Sequence, residues 1–214
     1  MKDRRPGAAA LVVVLALIAA PAWATREYIL PTLFDVDGVA ADDVLNVRAG
    51  PGTGHPVIGT LAPDAERIEV VAHDPTGRWG QINIEERAGW VAMRYLAYRT
   101  DVWEPGELPA SLQCFGTEPF WSLRPDEGDL VLEAMGEEAE RASIAAVLDT
   151  GIFRDPRRAV VAEAEAEGFR LTATMETTAC SDQMSDRAYG LSVMVVREAD
   201  GEAGLLTGCC RLEP

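Results

Sequence analysis

Leu45-Asn46-Val47-Arg48-Ala49-Gly50-Pro51-Gly52-Thr53-Gly54 sets the pattern of the first half of the chain. Leu45 and Val47 alternate with Asn46 and Arg48, the period of two that marks a half-buried strand. The next six residues form a turn segment, in which three glycines permit positive φ and Pro51 fixes its own. Val57-Ile58 resumes an apolar strand. Ile68, Val70 and Ala72 then alternate with their neighbours, and Asp74-Pro75-Thr76-Gly77 makes a further turn. Trp79 to Ile84 and Gly89-Trp90-Val91 read as two strands of a hairpin joined through Glu85-Glu86-Arg87, and Leu33-Phe34-Asp35-Val36 reads as a first strand. Short strands at this spacing predict a small all-β barrel or sandwich over residues 28–99.

The same residues resemble a known family. Leu45 to Gly52, then Val57-Ile58-Gly59, Arg78-Trp79, Gly89-Trp90-Val91 and Tyr95-Leu96, stand in the order and spacing of bacterial SH3 (SH3b) domains. Asp64-Ala65-Glu66 departs from the pattern, since the family usually turns there with a glycine. The resemblance implies a module that docks a cell-wall peptide or a protein and has no chemistry of its own. Its ligand is expected on the face bearing Trp79 and the loop with Gly50, Gly52 and Gly54. Trp79 suits either a groove or the core, whereas Trp90, following Gly89, is expected in the core because large aromatics are mostly buried. His55 and His73 lie in separate turns and suggest no joint site.

Residues 100–111 carry Pro105, Gly106 and Pro109 among polar residues, a linker composition, with Trp103 placed to pin the flanking domains together. Beyond it, residues 112–214 remain β in pattern. Phe120 to Leu123 and Leu130 to Leu132 read as strands around the turn Pro125-Asp126-Glu127-Gly128. Ala159-Val160-Val161 is another, although the alanine and glutamate after it also suit a helix. Phe169, Leu171, Ala173 and Met175 alternate with polar residues. Leu191 to Arg197 and Leu205 to Leu212 close a hairpin over Ala199-Asp200-Gly201. The expectation is a disulfide-linked β-barrel of six to eight strands.

Two strings stand out in this half, Cys114-Phe115-Gly116-Thr117-Glu118-Pro119-Phe120-Trp121 and the stretch Cys180 to Tyr189 with its Met184-Ser185-Asp186. Together with Gly208-Cys209-Cys210-Arg211 they resemble a family of exported bacterial proteins and lipoproteins that supplies no activity. Glu118, Trp121, Asp182, Asp186, Arg187 and Tyr189 are the candidate site residues of this domain. It contains no histidine and no lysine, so Ser-His-Asp, Cys-His and Ser-Lys machinery is absent from it. Only a carboxylate pair such as Glu118 with Asp182 or Asp186 would remain, of the kind glycan hydrolases use. The plainer reading is that Glu118 caps a loop beside the barrel mouth, while Asp182 and Asp186 bond turn backbone or Arg187. Asp182 with Asp186 falls short of a calcium loop, and no metal or cofactor is expected.

The four cysteines all lie in this half, and an even count in an exported chain points to disulfides. Four cysteines allow three connectivities. Cys209 and Cys210 point to opposite faces of a strand, which disfavours a bridge between them. The expected pairs are Cys180 with Cys209 and Cys114 with Cys210.

Export itself is read from the N-terminus. Lys2, Arg4 and Arg5 precede thirteen uninterrupted apolar residues from Ala8 to Ala20, and Ala22-Trp23-Ala24 places small residues at −3 and −1 of a cleavage site. Cleavage between Ala24 and Thr25 is expected, with no membrane insertion afterwards and a periplasmic or secreted product. Residues 1–24 hold three of the 19 basic and one of the 35 acidic residues, which leaves 16 against 34 and a charge of −18. That excess excludes nucleic acid and anionic membrane surfaces as partners. Three functions fit. The first is an envelope-associated binding protein docking a peptidoglycan peptide or an envelope protein. The second is an acidic inhibitor or stress protein on a basic protein, a cationic envelope enzyme such as lysozyme. The third is a carboxylate-based glycan hydrolase.

Overall fold

A computed structural model describes residues 29–164, 166 and 168–212. The expected export signal and the expected cleavage site at Ala24 and Thr25 lie outside these residues. Every regular element described is a strand, apart from one 3-10 turn, and the described residues are all-β.

The N-terminal unit uses eight short strands: β1 Thr32–Val36, β2 Leu45–Arg48, β3 Val57–Leu61, β4 Ile68–Val70, β5 Ala72–His73, β6 Trp79–Ile84, β7 Arg87–Ala92 and, after a 3-10 turn at Met93–Tyr95, β8 Leu96–Tyr98. They form two sheets, β4-β1-β8 and β3-β2-β7-β6-β5. Alternation sends Phe34, Val47, Val70, Ile82 and Val91 into one shared core, in which each is fully buried. Gly89 and Val91 occupy the inward positions of β7, and strict alternation therefore turns Trp90 outward. Half-buried and opposite Gln81 and Arg48, Trp90 is not the core residue expected from its size.

The C-terminal unit is an eight-stranded closed barrel: β9 Gln113–Thr117, β10 Phe120–Asp126, β11 Asp129–Ala134, β12 Glu140–Asp149, β13 Arg158–Ala164, β14 Phe169–Cys180, β15 Tyr189–Ala199 and β16 Glu202–Arg211. Each strand pairs antiparallel with the next, and β16 returns to β9 through Cys209↔Phe115 and Cys210↔Cys114. Closure removes every unpaired edge. The alanine-rich β12 carries no strand signal in the sequence, and β13 had a competing helical reading. Neighbours on both sides hold each as strand, with a bulge between Ile144 and Ala146. Inward positions such as Leu123, Leu132, Val160, Leu171, Val193 and Val195 fill the interior, as a barrel of this size requires.

The disulfides follow the expected pairing, Cys114–Cys210 and Cys180–Cys209. Alternation puts the two on different sides of the wall. Cys114 and Cys210 belong to the barrel core, whereas Cys209 faces outward and ties the base of the 181–188 loop to β16.

Residues 100–111 are packed rather than extended. Val102, Trp103 and Leu112 join the barrel core, and the Trp103 indole donates to the Pro31 carbonyl at 2.9 Å. Arg158, only 4 % exposed, donates to the carbonyls of Glu104 at 3.1 Å and Glu107 at 3.3 Å, and its guanidinium lies 5.3 Å from the Trp103 ring centre. A guanidinium carries five donors and cannot shed its charge, so a buried one has to be surrounded by acceptors. Here the connector's carbonyls supply two, and the carbonyls of Asp155 and Arg157 accept from Nη1.

Beside Arg158, the loop 150–157 is organised by Asp155, 3 % exposed. Its carboxylate accepts from Arg157 Nε at 2.9 Å, from the Thr150 hydroxyl at 2.6 Å and from the Arg157 backbone at 3.0 Å. The Arg157 guanidinium, helped by those donors and opposed by burial, pulls the Asp155 carboxyl down to about 2. A depressed acid pKa contributes stability above the unfolded value of about 4, and that stability is lost as pH falls towards the folded value. Between pH 4 and 2 the protein is expected to lose about 2 kcal/mol through Asp155. Urea unfolding across that window should show an Asp155→Asn variant with a correspondingly flatter pH dependence.

Candidate functional site

Three strands bring the distinctive polar and aromatic residues of the N-terminal unit to one sheet face. Trp79 stands opposite Ala92, Gln81 opposite Trp90, and Trp90 opposite Arg48. These outward positions of β2, β7 and β6 share a face, because cross-strand partners point the same way. Towards its Trp79 end the face becomes a groove of about 380 Å³ lined by Asn46, Arg48, Trp79, Arg94 and Tyr95 and closed on one side by residues 38–44.

Each group in the groove is held from behind. Asp74, 8 % exposed, accepts from the backbones of Thr76 at 3.1 Å, Arg78 at 2.8 Å and Trp79 at 2.8 Å, and from the Thr76 hydroxyl at 2.5 Å. This fixes the turn into β6 and hence the Trp79 ring. Burial alone would raise the Asp74 carboxyl, but these donors overcome it and hold the group below the usual carboxylate range. Arg94 lies 4.6 Å from the centre of the Tyr95 ring and donates to its hydroxyl at 3.0 Å. Arg48 donates to the carbonyls of Thr53 at 3.2 Å and His55 at 2.8 Å, so it braces the glycine-rich loop from below.

Of that loop only Thr53 lines the groove. Gly50 makes room for the His55 ring, since a Cβ there would lie 2.6 Å from it, and Gly52 adopts φ +144°. Gly54 has open space around it. The glycines therefore shape the loop and do not line the groove. Sequence reasoning missed Arg94 and Tyr95. In the sequence Tyr95 stands out only as part of the SH3-like signature, and the 3-10 turn that swings both residues onto the groove carries no periodic signal.

The barrel's candidates divide. Thr117 and Asp182 meet, the threonine hydroxyl donating to the Asp182 carbonyl at 3.2 Å, so the Glu118 and Asp182 segments are neighbours. The Asp182 carboxylate accepts from the Ser185 hydroxyl at 2.7 Å, the backbones of Met184 and Ser185 at 3.1 and 3.0 Å, and Tyr189 Oη at 3.2 Å. Burial pushes it up, and this turn's donors bring it below its ordinary value. Burial and the charge of Asp182 raise the Tyr189 phenol, whose ring also packs on Phe115 at 5.1 Å. Glu118 is exposed at the β9–β10 turn, and Trp121 is a core residue, 5 % exposed.

Asp186 and Arg187 face the other unit. The Asp186 backbone accepts from Ala88 at 2.8 Å and donates to Glu86 at 3.0 Å, while Arg187 Nε donates to the Glu85 carbonyl at 2.7 Å. Asn83 completes the clasp by donating to the Ala188 carbonyl at 2.8 Å and accepting from its N–H at 2.9 Å. Half of the 181–188 loop thus docks onto the β6–β7 hairpin, and the other half walls the barrel beside Thr117. Among the described residues, no group of three or more His, Cys, Asp or Glu stands arranged to hold a metal ion.

No curated protein and no solved structure matches the chain. Residues 43–97, which run from the end of the groove wall into β8 and include Trp79, Arg94 and Tyr95, match the family model of the bacterial SH3 domain.

Proposed function

We propose that this is an exported, envelope-associated binding protein whose SH3 groove docks a peptidoglycan peptide, and that the chain performs no chemistry of its own. The observation that carries the reading is the groove itself. In a chain of net charge −16, two guanidiniums, Arg48 and Arg94, flank an indole and a phenol on one braced sheet face and outnumber the one carboxylate in the groove lining, Asp43. Rigid aromatic area beside arginine is the usual make-up of a binding hot spot. A peptide bearing carboxylates, as wall peptides do, meets those arginines where the rest of the surface would repel it. Bacterial SH3 domains commonly bind cell-wall peptidoglycan components, and the two disulfides suit an oxidising compartment outside the cytoplasm. Maturation at Thr25, a periplasmic or secreted location, and membership of residues 112–211 in the exported-protein family of their Glu-Pro-Phe-Trp and Met-Ser-Asp strings belong to the same proposal. Against a glycan hydrolase, the Asp182 carboxylate is held by its own turn, and the Asp186 backbone is fixed on the β6–β7 hairpin of the other unit.

Trp79→Ala is expected to weaken co-sedimentation with purified peptidoglycan by about 2 kcal/mol, roughly thirtyfold in Kd. Its melting temperature should stay near that of the parent. A variant that binds as before removes Trp79 from the site, and one that unfolds assigns the ring to the fold.

A further inference from the structure

The outer wall of the barrel carries a second groove, remote in sequence from the SH3 ligand face. Register places Phe115, Ser122 and Glu133 side by side across β9, β10 and β11, with Thr117 and Phe120 opposite each other one pleat further on. Met135 follows β11, and its N–H donates to the Phe120 carbonyl at 3.1 Å. The Asp182 turn forms the far side, anchored by Thr117. The result is an open groove of about 440 Å³ with an apolar floor of Phe115, Phe120 and Met135 and with Glu133 and Asp182 on its sides.

Two features set this surface apart from an ordinary wall. Phe120 is 43 % exposed and Met135 73 % exposed, and Met184 on the neighbouring loop is 68 % exposed. Exposed aromatic and methionine side chains gathered on one rim mark adaptable contact surfaces. The charge around them is also predominantly negative. Glu118, Glu137 and Glu138 are exposed on the adjoining turns, which brings the carboxylates to five with Glu133 and Asp182. Of the bordering guanidiniums, Arg124 pairs with Asp126 at 3.4 Å and Glu133 at 3.8 Å, while Arg211 keeps its charge, donating to the Gln113 amide oxygen at 3.0 Å and lying 6.0 Å from the Phe115 ring centre, so carboxylates outnumber cations here five to two.

We infer that this groove docks a basic polypeptide segment carrying apolar side chains. Charge complementarity selects the occupant. A second copy would bring the same acidic rim and a second large negative charge against the first, and an acidic or nucleic ligand meets the same repulsion. A segment whose arginines or lysines meet the rim while its apolar side chains cover Phe120 and Met135 satisfies both features. An apolar centre within a charged rim is the common anatomy of such interfaces. The groove is independent of the SH3 site, so either reading can fail without the other.

The test uses the full chain and a synthetic nine-residue peptide of alternating arginine and leucine, with an alternating glutamate and leucine peptide as its counterpart, followed by isothermal titration. The arginine peptide is expected to bind one to one at low salt and to weaken as salt is raised. Phe120→Ser with Met135→Ser should weaken it at least tenfold, as should Glu133→Gln with Glu137→Gln and Glu138→Gln. All of these residues are exposed, and melting curves confirm that the variants fold. Glu198→Gln with Glu202→Gln, elsewhere on the barrel, and Trp79→Ala should leave binding unchanged. No binding by the arginine peptide, equal binding by the glutamate peptide, or equal losses at Glu198/Glu202 and at the groove would each overturn the proposal, the last by showing attraction to net charge alone.

Discussion

Replacing Cys114 and Cys210 together by serine should destabilise the chain by about 4–5 kcal/mol, the largest effect expected of any bridge here. The two are 96 residues apart, and cross-linking them ties the first barrel strand to the last. Without the bridge the unfolded chain regains the entropy of a loop that spans the whole barrel. In the folded state two hydroxyls would sit at positions 1 % and 0 % exposed. Removing Cys180 and Cys209, which close a span of 29 residues, should cost less, about 3–4 kcal/mol. Guanidinium unfolding of the two double variants under oxidising conditions checks the order. An outer-bridge variant as weak as the inner one would show that loop length does not govern these bridges.

Trp121→Ala should cost about 3–5 kcal/mol, the range for deleting a large buried aromatic. Its ring, 5 % exposed, occupies space that two glycines leave free inside the barrel. A Cβ at Gly116 would lie 2.1 Å from the indole nitrogen, and one at Gly208 would lie 3.0 Å from the ring and 1.9 Å from the Phe115 carbonyl oxygen. Gly116→Ala is therefore also destabilising, and its cost should shrink in a Trp121→Phe background, because the clash is with the ring that has been trimmed. A double-mutant cycle by urea denaturation measures that coupling. Additive effects would contradict the packing. A Trp121→Ala variant that keeps its stability would return Trp121 to the surface role suggested by its place beside Glu118.

These residues show what a single sequence makes visible. Strand β14 was legible because Phe169, Leu171, Ala173 and Met175 face one side without interruption, and the structure buries all four. Strand β12 was not, since its alanines satisfy a helix as readily as a strand and only β11 and β13 settle the choice. The cysteine pairing was legible because two neighbours on a strand face opposite ways, which leaves one for the interior and one for the outer loop. Trp90 went the other way. Its size argued for the core, but the phase of β7 is set by Gly89 and Val91. The clasp of Asp186 and Arg187 on Glu85 and Glu86 joins segments about a hundred residues apart through the Asp186 backbone and the Arg187 guanidinium, each on backbone partners. No residue pattern announces such bonds. The SH3 site was half legible for the same reason: Trp79 is named by its hairpin, while Arg94 and Tyr95 reach the groove through an aperiodic turn.

Docking of a carboxylate-bearing wall peptide on the Trp79 face is tested by titrating a soluble peptidoglycan fragment into isotope-labelled protein and following amide, indole and guanidinium signals by NMR. Saturable shifts are expected at Trp79, Arg94, Tyr95, Asn46 and Thr53, abolished by Trp79→Ala, with the barrel signals of residues 112–212 unmoved. Shifts confined to the barrel, or none at any concentration that saturates the insoluble wall, would contradict it.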